Sequence, residues 1–177
     1  MEEYFDIYDG ERRNTGRTMA RKGYFLHEGE YCLIVLGILE RSDHTFLITR
    51  RAMDKRWAPG AWEVPGGGVK AGETSEEAVR REVFEETGVD VRTLTGKRVD
   101  SYSNVDLARG DNYYVDLYHF FGEIPEEQIR IDAAEATEVR FASPEEIRQY
   151  FGDGMFLHYE RIRDALLKSD VSDTRFL

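Results

Sequence analysis

The sequence predicts a mixed α/β fold, and three stretches carry that prediction. Tyr31 to Leu39 is apolar nearly throughout, Thr74 to Gly88 carries the start and stop signals of a helix, and Tyr113 to Phe121 is rich in Tyr, Val and Phe. An unbroken apolar run suits a central strand covered on both faces, and aromatic and β-branched residues suit a second strand beside it.

The elements then follow in order. Residues 4 to 8 and 11 to about 17 flank Asp9-Gly10, a dipeptide that favours a tight turn, so a hairpin is expected within an N-terminal extension over 1–23. Tyr31 to Glu40 and Thr45 to Arg50 read as strands around the polar Arg41 to His44 turn. Trp57, Pro59, Gly60, Trp62, Pro65 and Gly66-Gly67-Gly68 make a structured loop with a short strand over Ala61 to Val64, because linkers do not usually carry two tryptophans. Thr74-Ser75-Glu76-Glu77 is a capping box and Gly88 a left-handed stop, which sets a helix from Ser75 to Thr87. Arg98 to Ser103, Tyr113 to Phe121 and Glu138 to Ala142 follow as strands. Ser143-Pro144 opens a short helix, and Phe156 to Lys168 has helical periodicity. With no repeat and no low-complexity tract, the expectation is one domain over 1–177 with a frayed tail over 169–177.

Composition narrows the function classes. The chain has 177 residues, 41% hydrophobic and 12% aromatic, enough to fill one core. The longest apolar run is well short of the roughly 20 residues that a membrane-spanning helix needs, and the start is acidic where a secretory signal is basic. A cytoplasmic protein without a membrane partner is therefore expected. The single cysteine, Cys32, excludes an internal disulfide and a thiolate zinc site, and reads as a small core residue. A formal charge of −11 and the absence of a basic, aromatic-interleaved stripe argue against nucleic acid as partner.

The stretch from Gly67 to Val89 carries chemistry. Glu82, Glu85 and Glu86 fall at i, i+3 and i+4, which places three carboxylates on one helix face. Like charges so stacked repel, and a divalent cation removes the penalty. Oxygen ligands favour hard ions, Mg²⁺ or Mn²⁺, and the glycines before the helix offer backbone carbonyls such as that of Gly66. For a lone E-x-x-E-E, a solvated acidic surface helix is the plainer reading.

The full pattern changes that. Gly67, Glu73, Arg81, Glu82, Val83, Glu85, Glu86, Gly88 and Val89 match every defined position of the signature G-x5-E-x7-R-E-U-x-E-E-x-G-U, with U aliphatic. In this the chain resembles the Nudix hydrolases. The resemblance implies an α/β/α sandwich with a mixed sheet, to which this chain adds the N-terminal hairpin and C-terminal helices. It also implies hydrolysis of a small diphosphate compound, such as a nucleoside diphosphate linked to another moiety, with Mg²⁺, or Mn²⁺ as the alternative, at a site with room for two or more ions. Glu82, Glu85 and Glu86 would be metal ligands with the Gly66 carbonyl, Glu73 and Arg81 would pair to brace the loop against the helix, and a homodimer is one assembly the resemblance allows. Glu86 is the first choice for the general base, with Glu135 and Glu138, before the last strand, as rivals. Lys70 departs from many relatives, which are acidic there; a cation would weaken an auxiliary metal site and would suit a phosphate.

The layout Asp6 to Gly10, Arg21, His27 to Tyr31, Leu47 to Arg51 and Lys55 to Trp62 resembles a branch related to isopentenyl-diphosphate isomerases. That branch uses a cysteine just before the glycine loop and histidine ligands; Val64-Pro65-Gly66 has neither, which argues against isomerisation. A ligand-sensing module without hydrolysis is the other alternative, although such modules often lose the carboxylates kept here. Arg50, Arg51 and Lys55 form a basic cluster suited to phosphate, and strand alternation allows at most one of the two arginines to face a cleft. Trp62 is the candidate ring over the substrate, with Trp57 and Tyr114 as further candidates for stacking. His27 and His44 lack ligand spacing and read as surface or structural.

Overall fold

The computed structural model of the chain describes residues 2–55, 57–131 and 136–171. Strands β1 (Tyr4–Tyr8) and β2 (Asn14–Ala20) form the expected hairpin. The second strand starts later than the turn dipeptide suggested, because the Asp9 carboxylate accepts the amides of Glu11 and Arg13, each at 2.9 Å, and widens the turn.

The main sheet holds β3 (Cys32–Glu40), β4 (Phe46–Arg51), β5 (Trp62–Glu63), β6 (Gly66–Gly68), β7 (Thr95–Asn104), β8 (Tyr113–Phe121) and β9 (Ala136–Ala142). Its order is β5-β4-β3-β8-β7, with β3 and β8 parallel and the other pairs antiparallel, so the sheet is mixed. Directly after their turn β3 and β4 share one Cα pair, Glu40 with Phe46, and then diverge. β6 takes the edge of β3 and β9 the edge of β4. The triple glycine, expected as irregular loop, is thus a strand. Gly66 explains why only glycine serves: an added Cβ would lie 2.2 Å from the Val35 carbonyl oxygen.

Helices α1 (Ser75–Thr87), α2 (Pro144–Gly152) and α3 (Tyr159–Lys168) cover the two faces. On β3, Leu33, Val35 and Leu39 pack with Val79 and Val83 of α1. Leu36 and Ile38 point the other way, into a second core with Ile147 of α2 and Ile162 and Leu166 of α3. Strand alternation thus places one helical layer on each side, the α/β/α arrangement expected. α1 comes close to β3 at Gly37, where an added Cβ would lie 2.7 Å from Val83 Cγ2.

Local signals set α1. Thr74 and Glu77 form the reciprocal capping box, and Gly88, at φ 76°, donates its amide to the Phe84 carbonyl. The last helix is shorter than its periodicity, which ran from Phe156. Residues 155 to 157 are instead held extended against β5, with the Trp62 amide on the Met155 carbonyl at 2.7 Å and the Leu157 amide on the Trp62 carbonyl at 2.9 Å. β7 and β9 begin earlier than the pattern suggested, at Thr95 and Ala136. Among the described residues no helix is long and apolar enough to cross a membrane. Most of the expected tail, from 172 onward, lies outside the described residues.

Candidate active site

Arg81 organises the carboxylate face. Its Nε and Nη2 each lie 2.8 Å from one oxygen of Glu73, a two-pronged pair, and Nη2 also reaches the Gly68 carbonyl at 3.1 Å. Such a fork fixes orientation as well as distance, so the loop ahead of α1 is braced to the helix. The third nitrogen, Nη1, sits between Glu82 at 2.6 Å and Glu85 at 3.2 Å. Burial pushes the Glu73 carboxyl up, but Arg81 and the Lys70 amide outweigh it and hold it below its ordinary value. The carboxylates in turn raise the Arg81 guanidinium, Glu73 first.

Glu82 is the strained member. Burial pushes its carboxyl above the ordinary value despite Arg81 beside it. Its carboxylate lies against the backbone of Gly67, where an added Cβ would come within 2.6 Å of it. Glu86 points elsewhere, with its Oε2 3.4 Å from the Gly66 amide. Among the described residues no three acidic, histidine or cysteine side chains converge on one point. Glu82 and Glu85 lean to Arg81, which stands as an internal cation between them. The donor set nonetheless fits a hard divalent ion: three carboxylates on one helix face, beside backbone that only glycine lets so close.

A cavity of about 540 Å³ opens next to this face and between the diverging strands. One end is lined by Gly66, Gly67, Gly68 and Glu86, with Arg21 and Lys70. The hairpin holds this end in place: the Ala71 amide donates to the Tyr4 carbonyl at 2.8 Å, and Glu3 pairs with Lys70 at 3.2 Å and with Arg21 at 3.7 Å. The wall also takes in Arg51, Lys55, Trp57, Glu63, Tyr113 and His158.

The basic and aromatic candidates divide between cavity and core. Arg51 and Lys55 line the cavity; Arg50 does not, and lies 3.1 Å from the Gly60 carbonyl and 3.8 Å from Glu138. Strand alternation turns the two arginines apart, as expected. Trp62 is a correction: it is 5% exposed, stacked on Tyr150 in the core under α3, and absent from the cavity wall. Its ring is held there by the backbone pairing with residues 155 to 157. Trp57, 48% exposed, takes the cavity position. Tyr114 stacks on Tyr31 and donates to the Asp9 carbonyl, away from the cavity. Glu138 also lies off the cavity wall, and Glu135 lies outside the described residues. Cys32 is buried, its thiol pushed up to about 12 by burial. His27 is exposed and His44 bonds Glu40 at 2.7 Å.

Sequence reasoning missed His158. Its ring lines the cavity, 3.1 Å from the Tyr102 hydroxyl, and no spacing marks it, because a turn from a distant helix brings it there.

The comparisons with known proteins agree with this geometry. The Nudix hydrolase lmo0368 of Listeria monocytogenes is 28% identical over 160 residues, 90% of each chain. The solved structure of DR0079 from Deinococcus radiodurans superposes with a TM-score of 0.68 at 22% identity, over 86% of this chain and 91% of that one. The NUDIX domain of Shewanella oneidensis NrtR, solved in complex with ADP ribose, superposes with a TM-score of 0.57 at 19% identity, over 67% and 77%. The NUDIX domain model matches residues 30–162, more than half of the chain. The chain therefore belongs to the NUDIX family, and is a pyrophosphohydrolase of that family.

Proposed function

We propose that the cavity hydrolyses a phosphoanhydride bond in a small diphosphate compound, foremost a nucleoside diphosphate linked to another moiety. The observation that carries this is one cavity lined by both Glu86 with the glycine strand and the aromatic pair Trp57 and His158. A diphosphate laid along it would bring its charge to the carboxylate face and its organic part to the rings. The relative that holds ADP ribose supports a small-molecule occupant of this fold.

Glu82, Glu85 and Glu86, with the Gly66 carbonyl, would hold Mg²⁺ or Mn²⁺, one ion or more. Bound there, the cation screens the diphosphate, polarises a phosphoryl oxygen and lowers the pKa of a water. Glu86 lines the cavity and is the proton acceptor for the attacking water in this reading. The water oxygen bonds to phosphorus, the bridging P–O bond breaks, and the departing phosphate leaves with the electron pair. Lys70 and Arg21 supply positive charge at the same end of the cavity, where the net −11 of the chain would otherwise repel the substrate. Glu73, through Arg81, positions the face.

The test is a panel of nucleotide sugars, dinucleotides, nucleoside triphosphates and prenyl diphosphates with Mg²⁺, read by release of phosphate-containing products. Turnover is expected for at least one nucleoside diphosphate derivative, abolished by EDTA and reduced about 10²-fold or more in Glu85→Gln and Glu86→Gln. Turnover indifferent to EDTA and to both variants would overturn the reading.

A further inference from the structure

We infer that Trp57 and His158, on the wall of the cavity, form the subsite for a planar, uncharged heteroaromatic group, a nucleobase. This rests on the reading above and assigns the residues that select the organic part of the substrate.

Trp57 carries the first half of the argument. It lies in the loop between β4 and β5 with 48% of its surface exposed, on the wall of the cavity. A large exposed ring on a loop would ordinarily be mobile, but this one is fixed. Arg51 donates from Nε to the Trp57 carbonyl at 3.2 Å and places its guanidinium 5.3 Å from the indole centroid. Arg51 is itself tied to Glu63 at 2.8 Å. The arginine expected to grip phosphate is thus committed to Glu63 and to the indole, and the ring becomes a rigid platform. Rigid aromatic faces bind bases because every base offers a π face to stack on.

His158 carries the second half. Its ring centroid lies 6.1 Å from that of Trp57, at an interplanar angle of 43°. It caps the N-terminus of α3 with φ 60°, a left-handed conformation that histidine adopts more readily than most side chains. The ring Nδ1 lies 3.1 Å from the Tyr102 hydroxyl, and burial, with Arg51 nearby, keeps the imidazole neutral at physiological pH. With Nδ1 engaged by the phenol, Nε2 is the atom available to a ligand edge. A neutral imidazole suits the polar edge of an uncharged base, to which a prenyl chain offers no counterpart. Stacking from Trp57 and edge contact from His158 together define a nucleobase.

The experiment follows the intrinsic fluorescence of the whole chain. Of its two tryptophans, Trp57 faces the cavity and Trp62 is in the core, so stacking of a ligand reports through Trp57. The probes are AMP, GMP, CMP and UMP, with ribose 5-phosphate as the control that lacks a base. Saturable quenching by at least one nucleotide and none by ribose 5-phosphate is expected. Trp57→Ala should weaken nucleotide binding about 5- to 50-fold by calorimetry, the range for loss of one stacked base, and Trp57→Phe should recover part of it. His158→Asn, which tolerates the left-handed backbone, should narrow the spread of affinities among the four bases at least threefold without abolishing quenching, a result that a merely structural role would not give. Nucleotides and ribose 5-phosphate binding alike, or affinity unchanged in Trp57→Ala, would overturn the inference. Glu85→Gln separates the two readings: lost turnover with quenching intact leaves both standing. Quenching without any turnover in the parent removes the proposed hydrolysis alone, whereas turnover of prenyl diphosphates without quenching by nucleotides removes the base subsite alone.

Discussion

Two buried or half-buried carboxylate centres lie at opposite ends of α1, and they are built on opposite principles. At the N-terminal end Asp116, fully buried on β8, receives Arg12 at 2.6 Å, Ser75 at 2.6 Å, Ser101 and, at 3.4 Å, Arg98. Burial pushes its carboxyl up, but these donors outweigh burial and hold it below its ordinary value. Every lone pair is answered from within the chain, and the centre ties the hairpin, α1 and β7 to β8. Further along the helix Glu82 and Glu85 share the Arg81 guanidinium, Glu86 lies 3.4 Å from the Gly66 amide, and Glu82 is raised by burial despite Arg81 beside it. A carboxylate that the fold satisfies is structural. A carboxylate such as Glu82, held above its ordinary value by burial beside two like charges on one helix face, is one that a bound cation would stabilise, and that contrast marks the site.

The largest way to break the comparison is at its satisfied end. Asp116→Asn leaves Arg12 facing a neutral amide in a buried setting, and should cost about 2–3 kcal/mol in urea denaturation at pH 7. Because the folded-state pKa of Asp116 is depressed, its contribution is fully present above the unfolded value near 3.8 and is lost as pH falls through the folded value. The gap between parent and variant should therefore close as pH drops from about 5 towards 2. Equal stability at pH 7 would show that Asp116 is not the structural hub described here.

How much of this was legible depended on distance along the chain. The bounds of α1 were readable because a capping box and a left-handed glycine are local signals, and β3 was readable because burial on both faces removes the polar alternation. The carboxylate spacing was visible too, since a helix turns i, i+3 and i+4 into one face. Asp116 was not, because its partners Arg12, Ser75 and Ser101 belong to three other elements and each is ordinary in its own segment. The buried pair of Glu40 and His119, 2.7 Å apart, was hidden in the same way inside two strands. Trp57 and Trp62 exchanged roles for a related reason: both sit in a loop rich in Gly and Pro, and only the return of residues 155 to 157 onto β5 decides which ring is covered. The same return brings His158 to the cavity.

A smaller effect sharpens the functional end. Glu73→Gln keeps the size of the side chain but replaces one pairing oxygen with a donor that opposes Arg81. With the brace gone, Arg81 is free to neutralise Glu82 and Glu85 more fully. The Mg²⁺ concentration needed for half-maximal turnover should rise about 10- to 100-fold, as for loss of a residue that orients metal ligands, while the folded structure persists by circular dichroism. An unchanged Mg²⁺ requirement would mean that the Glu73–Arg81 pair holds the loop without serving the carboxylates.

The smallest expected effect carries the opposite sign from most substitutions. Glu82 is partly buried, lies against the Gly67 backbone and shares Arg81 with Glu85, so in chelator its charge weighs against the fold. Glu82→Gln removes that charge at nearly constant volume. It should raise stability in EDTA by about 0.5–1 kcal/mol, in keeping with sites where activity is held at the expense of stability. Addition of Mg²⁺ should reverse the order, because a ligand that binds only the folded state stabilises in proportion to its affinity, and the variant has lost a ligand atom. The same substitution logic applied to Asp116 gives loss in both conditions, so a crossing of the two melting curves at Glu82 and none at Asp116 separates a carboxylate kept for a cation from one kept for the fold. A variant less stable than the parent in EDTA would mean that Arg81 already answers Glu82 in full, and the contrast between the two ends of α1 would fall.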